Sequence, residues 1–140
     1  MKNKHKKAYM KCAWAFAECS PALRLKVGAV LVKNNRIISC GYNALPEHLD
    51  GPCEHEGVTR QEVRHAEKNA LLGLTKSSLS SEDAIMFVTH SCCLPCAIDI
   101  VDSGIKEVYY CHEYRDTAGL YHLVKNGVKV FKMKGCYASV

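Results

Sequence analysis

Residues 84–111, AIMFVTHSCCLPCAIDIVDSGIKEVYYC, decide the fold, because they read as strand, helix and strand in one run. Ala84 to Thr89 is short, apolar and β-rich, Cys93 to Asp102 is helical up to Ser103-Gly104, and Glu107-Val108-Tyr109-Tyr110-Cys111 is a second strand. A helix from Thr117 to Lys125, closed by Asn126-Gly127, then leads to a last strand from Val128 to Met133. Strands alternating with helices in this way imply parallel pairing through right-handed crossovers.

Upstream the pattern changes. Val27 to Val32 and Arg36 to Tyr42 are two β-rich runs separated by Lys33-Asn34-Asn35, an antiparallel hairpin. Before them, Lys6 to Cys19 carries Tyr9, Ala13, Phe16 and Ala17 at helical spacing and stops at Ser20-Pro21. Arg64 to Lys76 reads as a helix turning Ala66, Ala70, Leu71 and Leu74 inward. Between hairpin and helix, Ala44 to Val63 is polar and broken by Pro46, Gly51, Pro52 and Gly57, which makes it a candidate lid. The expectation is an α/β fold, a three-layer α/β/α sandwich with a mixed five-stranded sheet, spanning 1–140 as a single domain.

Composition bounds the function. With 140 residues, 48% of them apolar and 24% charged, the chain can bury a real core. Its net charge of +5 comes from Lys2, Lys4, Lys6, Lys7 and Lys11, the remainder carrying 14 basic and 14 acidic residues. A basic tip on a neutral body, with no basic and aromatic stretch, argues against a nucleic-acid channel. Nine cysteines without a signal peptide, since the apolar stretch Ala13 to Ala17 stops at Glu18, point to reduced thiols and metal ligands in a cytoplasmic protein. No apolar run reaches the length that spans a bilayer.

The chemistry concentrates at two helix starts, His65-Ala66-Glu67 and Cys92-Cys93-Leu94-Pro95-Cys96. Cys93 and Cys96 project from one helical face, and with His65 they leave the fourth tetrahedral position of zinc for water, as a catalytic site requires. A helix N-terminus favours thiolates. Bound zinc lowers the pKa of its water to roughly 7, and Glu67, two residues from a ligand, is placed to carry the proton. Cys92 competes with Cys93, because Cys92 and Cys96 also share a face. Taken alone, Cys-x-x-Cys also suits a structural knuckle or a redox dithiol; the missing second pair and the upstream His-x-Glu favour hydrolysis.

His-x-Glu followed by Cys-x-x-Cys is the signature of zinc nucleobase deaminases. With Arg24 to Val30, Gly41-Tyr42-Asn43-Ala44-Leu45-Pro46, His65 to Ala70 and Val108-Tyr109-Tyr110 to Tyr114-Arg115, the chain resembles deoxycytidylate deaminases, phage and viral members above all, over nearly its whole length. The family's proline before the first cysteine is Cys92 here, and alignment on the motif favours Cys93 as ligand. The resemblance implies a cytidine deaminase-like fold and hydrolysis at C4 of the base, converting dCMP to dUMP for thymidylate synthesis. It further implies pyrimidine recognition by the backbone at Ala66 and Ser91, a sugar hydroxyl on Asn43, and a phosphate on Arg24, Tyr114 and Arg115. Cys53 and His55, with Cys19 or His48, form a candidate second, structural zinc site of the kind some phage members carry. The resemblance also implies dCTP as substrate or effector, Mg²⁺ accompanying a nucleotide effector, and a homo-oligomer between dimer and hexamer, located in the host cytoplasm if viral. Ala44 replaces a family glycine, so regulation is in question if that position needs positive φ. Cys12, Cys40, Cys111 and Cys136 read as ordinary small buried residues.

The competing functions are deamination of a nucleoside or free base, editing of tRNA or single-stranded DNA, and a non-catalytic zinc scaffold. Neutral charge speaks against editing. Glu67 speaks against a scaffold, which has no use for a carboxylate beside an open coordination position.

Overall fold

The computed structural model describes residues 1–134. Four helices, α1 (Asn3–Glu18), α2 (Ala66–Leu72), α3 (Leu94–Asp102) and α4 (Ala118–Lys125), alternate with strands β1 (Gly28–Lys33), β2 (Arg36–Tyr42), β5 (Ile85–His90), β6 (Glu107–His112) and β7 (Lys129–Lys132), while β3 (Glu54–His55) and β4 (Val58–Thr59) form a small separate hairpin. The main sheet is five-stranded, ordered β2-β1-β5-β6-β7. β1 runs antiparallel to β2 and to β5, and β5, β6 and β7 run parallel. The mixed sheet and its crossovers are those expected from residues 84–133.

The tight hairpin follows from Asn34 and Asn35, whose φ angles of 51° and 58° give the left-handed two-residue turn that matches strand twist. Lys33, expected in the turn, ends β1 instead. On one face of the sheet α1 buries Met10, Ala13, Trp14 and Ala17 over Val30, Val32, Phe87 and Tyr109. The expected stripe is therefore rotated, with Tyr9 and Phe16 only flanking it. Phe87, Tyr109 and Phe131 stack across three parallel strands, each neighbouring pair 4.9 Å apart. α2, α3 and α4 cover the other face, where Ala66, Ala70, Ala97, Ile100 and Leu123 pack on Leu31, Met86, Val88 and Val108. The fold is thus an α/β/α sandwich.

One expectation is refined here and one corrected. Ala44 to Val63, the candidate lid, is anchored at its base: Ala44 and Arg64 form a β-bridge with both hydrogen bonds, at 3.1 and 2.9 Å, which ties the segment's ends together. Inside it the β3–β4 hairpin turns at Glu56 and Gly57, and the Arg60 guanidinium holds the Asp50 and Pro52 carbonyls. Ala44 is extended rather than at positive φ, so it carries no strain in place of glycine. Secondly, Cys111 is disulfide-bonded, not a reduced buried thiol. Cys12 and Cys40 are half-buried beside the α1 core rather than fully buried, and Cys136 lies outside the described residues.

Candidate active site

The two parallel-strand connections and the β2–α2 loop bring the starts of α2 and α3 together. His65 is the N-cap of α2 and Cys93 the N-cap of α3, both with extended backbone and neither using its side chain to cap the helix. Their side chains are free to turn toward each other. Pro95 occupies the first turn of α3, where its missing N–H costs nothing, and Cys96 follows one turn on from Cys93. Close packing holds this arrangement. A Cβ at Gly41 would sit 2.5 Å from the Ala66 carbonyl and the Ala70 nitrogen, so glycine lets α2 press against β2; a Cβ at Gly119 would collide with the carbonyls of Cys92 and Cys93.

The Cys93 and Cys96 sulfurs each lie 3.3 Å from His65 Nδ1, and all three donor atoms fall within 4.8 Å of one another. Zinc–sulfur and zinc–nitrogen bonds of about 2.3 and 2.1 Å imply tetrahedral edges of about 3.6 Å, so the set fits a zinc ion. The electrostatics agree. Hydrogen bonding from the Cys96 thiol, then from His65, holds Cys93 down at about 4, while Cys96 is pushed up because it is the partner that keeps the proton. His65 is raised by its hydrogen bond to Cys93. A low-pKa sulfur, a second thiol and an imidazole make a ready soft-donor set.

Cys92 is settled by burial. It is 0% exposed in the apolar core, outside the donor set, and burial pushes its thiol up to about 12. Cys93 is the cysteine that faces His65. The other expected trio, Cys19, Cys53 and His55, is not brought together: among the described residues only His65, Cys93 and Cys96 form a three-donor group, and Cys53 is buried at 1% exposure.

Glu67 stands in the first turn of α2, 3% exposed, and burial pushes its carboxyl up to about 7. It lines a pocket of about 290 Å³ with His65 and Ala66, and the pocket continues past Val27, Leu25 and Arg24 on one side and Asn43, Thr59 and Tyr114 on the other. A carboxylic acid near neutral pKa beside a metal-donor set is equipped to accept and return a proton.

The expected substrate contacts divide. Arg24, Asn43, Ala66 and Tyr114 reach the pocket. Arg115 does not line it and is exposed on the loop after β6. Ser91 is fully buried and serves its neighbours: its N–H donates to the His112 carbonyl at 2.8 Å, and its hydroxyl accepts the Tyr114 N–H at 2.7 Å. Asn43 also works on the backbone, accepting the Val27 N–H at 2.8 Å and donating to the Leu25 carbonyl at 2.7 Å. Glu54 was not anticipated. It lines the pocket at 8% exposure, and one of its oxygens accepts the N–H groups of Leu23 and Arg24 at 2.9 and 3.0 Å. Nothing in its local pattern, a polar loop after Cys53, marks it out.

A soft-donor triad at two helix starts, with a buried carboxylate that does not join it, makes a candidate zinc centre on an α/β/α sandwich. Residues 3–112 match the model of the cytidine and deoxycytidylate deaminase zinc-binding region, and the chain belongs to that family. It is similar to the dCMP deaminase of cyanophage S-TIM5, whose crystal structure holds dCMP and dUMP, at 45% identity and a TM-score of 0.93 over 95% of this chain and 99% of that one. The deoxycytidylate deaminase of Enterobacteria phage T4 is 29% identical over 169 residues, covering 89% of this chain and 87% of the phage protein. That of Saccharomyces cerevisiae is 34% identical over 84% of this chain, which spans only 41% of the yeast protein. Among the described residues no helix is long and apolar enough to cross a membrane.

Proposed function

We propose that the chain hydrolyses dCMP to dUMP and ammonia, with zinc held by His65, Cys93 and Cys96 and the proton carried by Glu67. The observation that carries this reading is that His65, which groups with Cys93 and Cys96 as a donor triad, and the non-ligating Glu67, raised to about 7, line one pocket. When bound, zinc supplies a Lewis acid that makes water nucleophilic at neutral pH. Glu67, ionised, takes the proton of the attacking water, delivers it to N3 of the pyrimidine, and passes a further proton to the amine that leaves from C4. Its burial keeps bulk water from short-circuiting that transfer. The Ala66 backbone stands beside it for the edge of the base.

A nucleotide rather than a nucleoside is supported by Arg24 and Tyr114 on the pocket wall. A planar guanidinium and a phenol are both donors suited to phosphate. The likeness to the cyanophage enzyme with its bound nucleotides points the same way. The product is the precursor that thymidylate synthesis methylates.

The test is an ultraviolet deamination assay of the purified protein on cytosine, deoxycytidine, dCMP and dCTP, with and without a chelator. The expected result is chelator-sensitive loss of the cytosine chromophore with dCMP well ahead of deoxycytidine. Equal rates on the two would remove the phosphate from the reading, and no reaction on any of the four would overturn it.

A further inference from the structure

A second cavity, of about 400 Å³, shares Arg24 and Leu25 with the active-site pocket but is lined by none of the metal donors and not by Glu67. Nothing in the proposed chemistry uses it. Its floor is Trp14 and Ala17 of α1, with His90 and His112, which stand opposite each other as the last residues of the parallel strands β5 and β6. The three rings form a cluster: the Trp14 ring meets His90 and His112 edge-on, centroids 5.7 and 5.6 Å apart, and the two imidazoles are 5.5 Å apart. Leu23, Lys26 and Glu18 complete the rim.

Donors outnumber acceptors in this cavity. Arg24 and Lys26 are exposed, and neither is in an ion pair among the described residues, so two cations face the single carboxylate of Glu18. His90 adds a directed donor. Its Nδ1 is 2.8 Å from the Thr89 hydroxyl, which is fully buried and accepts the Gly28 N–H at 3.2 Å. A buried hydroxyl must place its own proton, and among the described residues Nδ1 is the acceptor it has, so the imidazole carries its proton on Nε2. Burial, and then the His112 ring beside it, hold His90 down at about 4, so the neutral ring is the form present at neutral pH. A cation is a poor occupant beside Arg24 and Lys26, and the two imidazoles with Glu18 do not form a three-donor metal group. A phosphate group suits the site instead: the cations and imidazole N–H groups match its oxygens, while Trp14, Leu23 and Leu25 offer apolar surface to whatever carries it.

We propose that this cavity is an anion site, separate from the catalytic pocket, that binds a phosphate group through Lys26, His112, His90 and Arg24. Because Arg24 also lines the catalytic pocket, a phosphate held here draws on the guanidinium that faces the nucleotide and so weakens dCMP binding. That coupling rests on the dCMP reading above; the binding itself does not.

Trp14, the single tryptophan of the chain, reports on the cavity directly. Titrating inorganic phosphate into the zinc-loaded protein should change its fluorescence saturably, beyond what sodium chloride does at equal ionic strength. Phenyl phosphate, which brings a ring to Trp14 and Leu25, should saturate at lower concentration; equal affinities would assign the site to the bare ion. Lys26→Gln combined with His112→Gln should weaken the response to phosphate by roughly tenfold, about what two exposed charge contacts contribute, and leave kcat for dCMP without phosphate unchanged. In the deamination assay phosphate should raise KM for dCMP in the unaltered protein and do so far less in the double variant. A fluorescence change no larger than that with chloride overturns the proposal, and so does equal phosphate affinity in the unaltered protein and the double variant. Binding without any effect on KM would overturn the coupling through Arg24. Failure to deaminate dCMP at all would overturn the dCMP reading and leave the fluorescence result to decide the site.

Discussion

The pocket has two walls of different construction. His65, Glu67, Cys93 and Cys96 sit at the starts of α2 and α3, where Gly41 lets α2 press on β2 and Gly119 lets α4 press on the backbone of Cys92 and Cys93. Arg24, Asn43 and Tyr114 come from loops and Glu54 from the small β3–β4 hairpin, held by side-chain to backbone hydrogen bonds. The difference teaches a division of labour. Bond-making groups need a fixed geometry to within fractions of an ångström, which regular elements supply, whereas groups that choose the ligand are carried on segments that sequence change can remodel. Substitutions in the first wall should therefore act on metal and turnover, and those in the second on KM.

The sharpest contrast lies between adjacent residues. Cys93→Ser should bring both zinc content and dCMP turnover to background, whereas Cys92→Ser should keep zinc and lose stability by about 1–3 kcal/mol for a hydroxyl placed in an apolar core. Metal analysis showing the reverse would shift the ligand to Cys92. Next in size, Glu67→Gln should retain zinc and lower kcat by roughly 10²–10⁴-fold; a variant with full kcat would remove Glu67 from proton transfer. On the loop wall, Arg24→Ala should raise KM for dCMP by roughly tenfold, the loss of one charge-assisted contact, and leave deoxycytidine nearly unaffected. An equal rise for both substrates would show that Arg24 only shapes the loop.

A last effect is on stability, and it builds only gradually with pH. In zinc-free protein the folded pKa of Glu67, about 7, lies above its ordinary 4.5. The folded state therefore holds a proton that the unfolded chain has released, and stability falls as pH rises from 4.5 to 7. Glu67→Gln removes that dependence, and its gain over the unaltered protein should grow across this window to about 3 kcal/mol and then level off. Parallel denaturation curves at every pH would contradict the burial assigned to this carboxyl.

The same two walls explain what could be read from the sequence. The apolar and helical patterns of residues 84–133 and the turn after Val32 are local, and they made the mixed five-stranded sheet legible, while the strand order β2-β1-β5-β6-β7 came from the structure. His65, Glu67, Cys93 and Cys96 were legible because coordination chemistry imposes spacing on helix starts. Alignment on the motif favoured Cys93 over Cys92, and the burial of Cys92 outside the donor set supports that choice. Glu54 was overlooked because a loop side chain's direction depends on distant partners, here the N–H groups of Leu23 and Arg24, thirty or so residues away. The Ala44–Arg64 bridge was likewise illegible, since it closes a segment whose composition alone reads as loose.

The most direct test of the central claim is a zinc titration of chelator-stripped protein, following metal bound and dCMP deaminated in the same samples. The account predicts that activity is absent at the start, rises in step with bound zinc and saturates near one equivalent per chain, with Cys93→Ser flat throughout. Metal-free protein that deaminates dCMP at the full rate would contradict it.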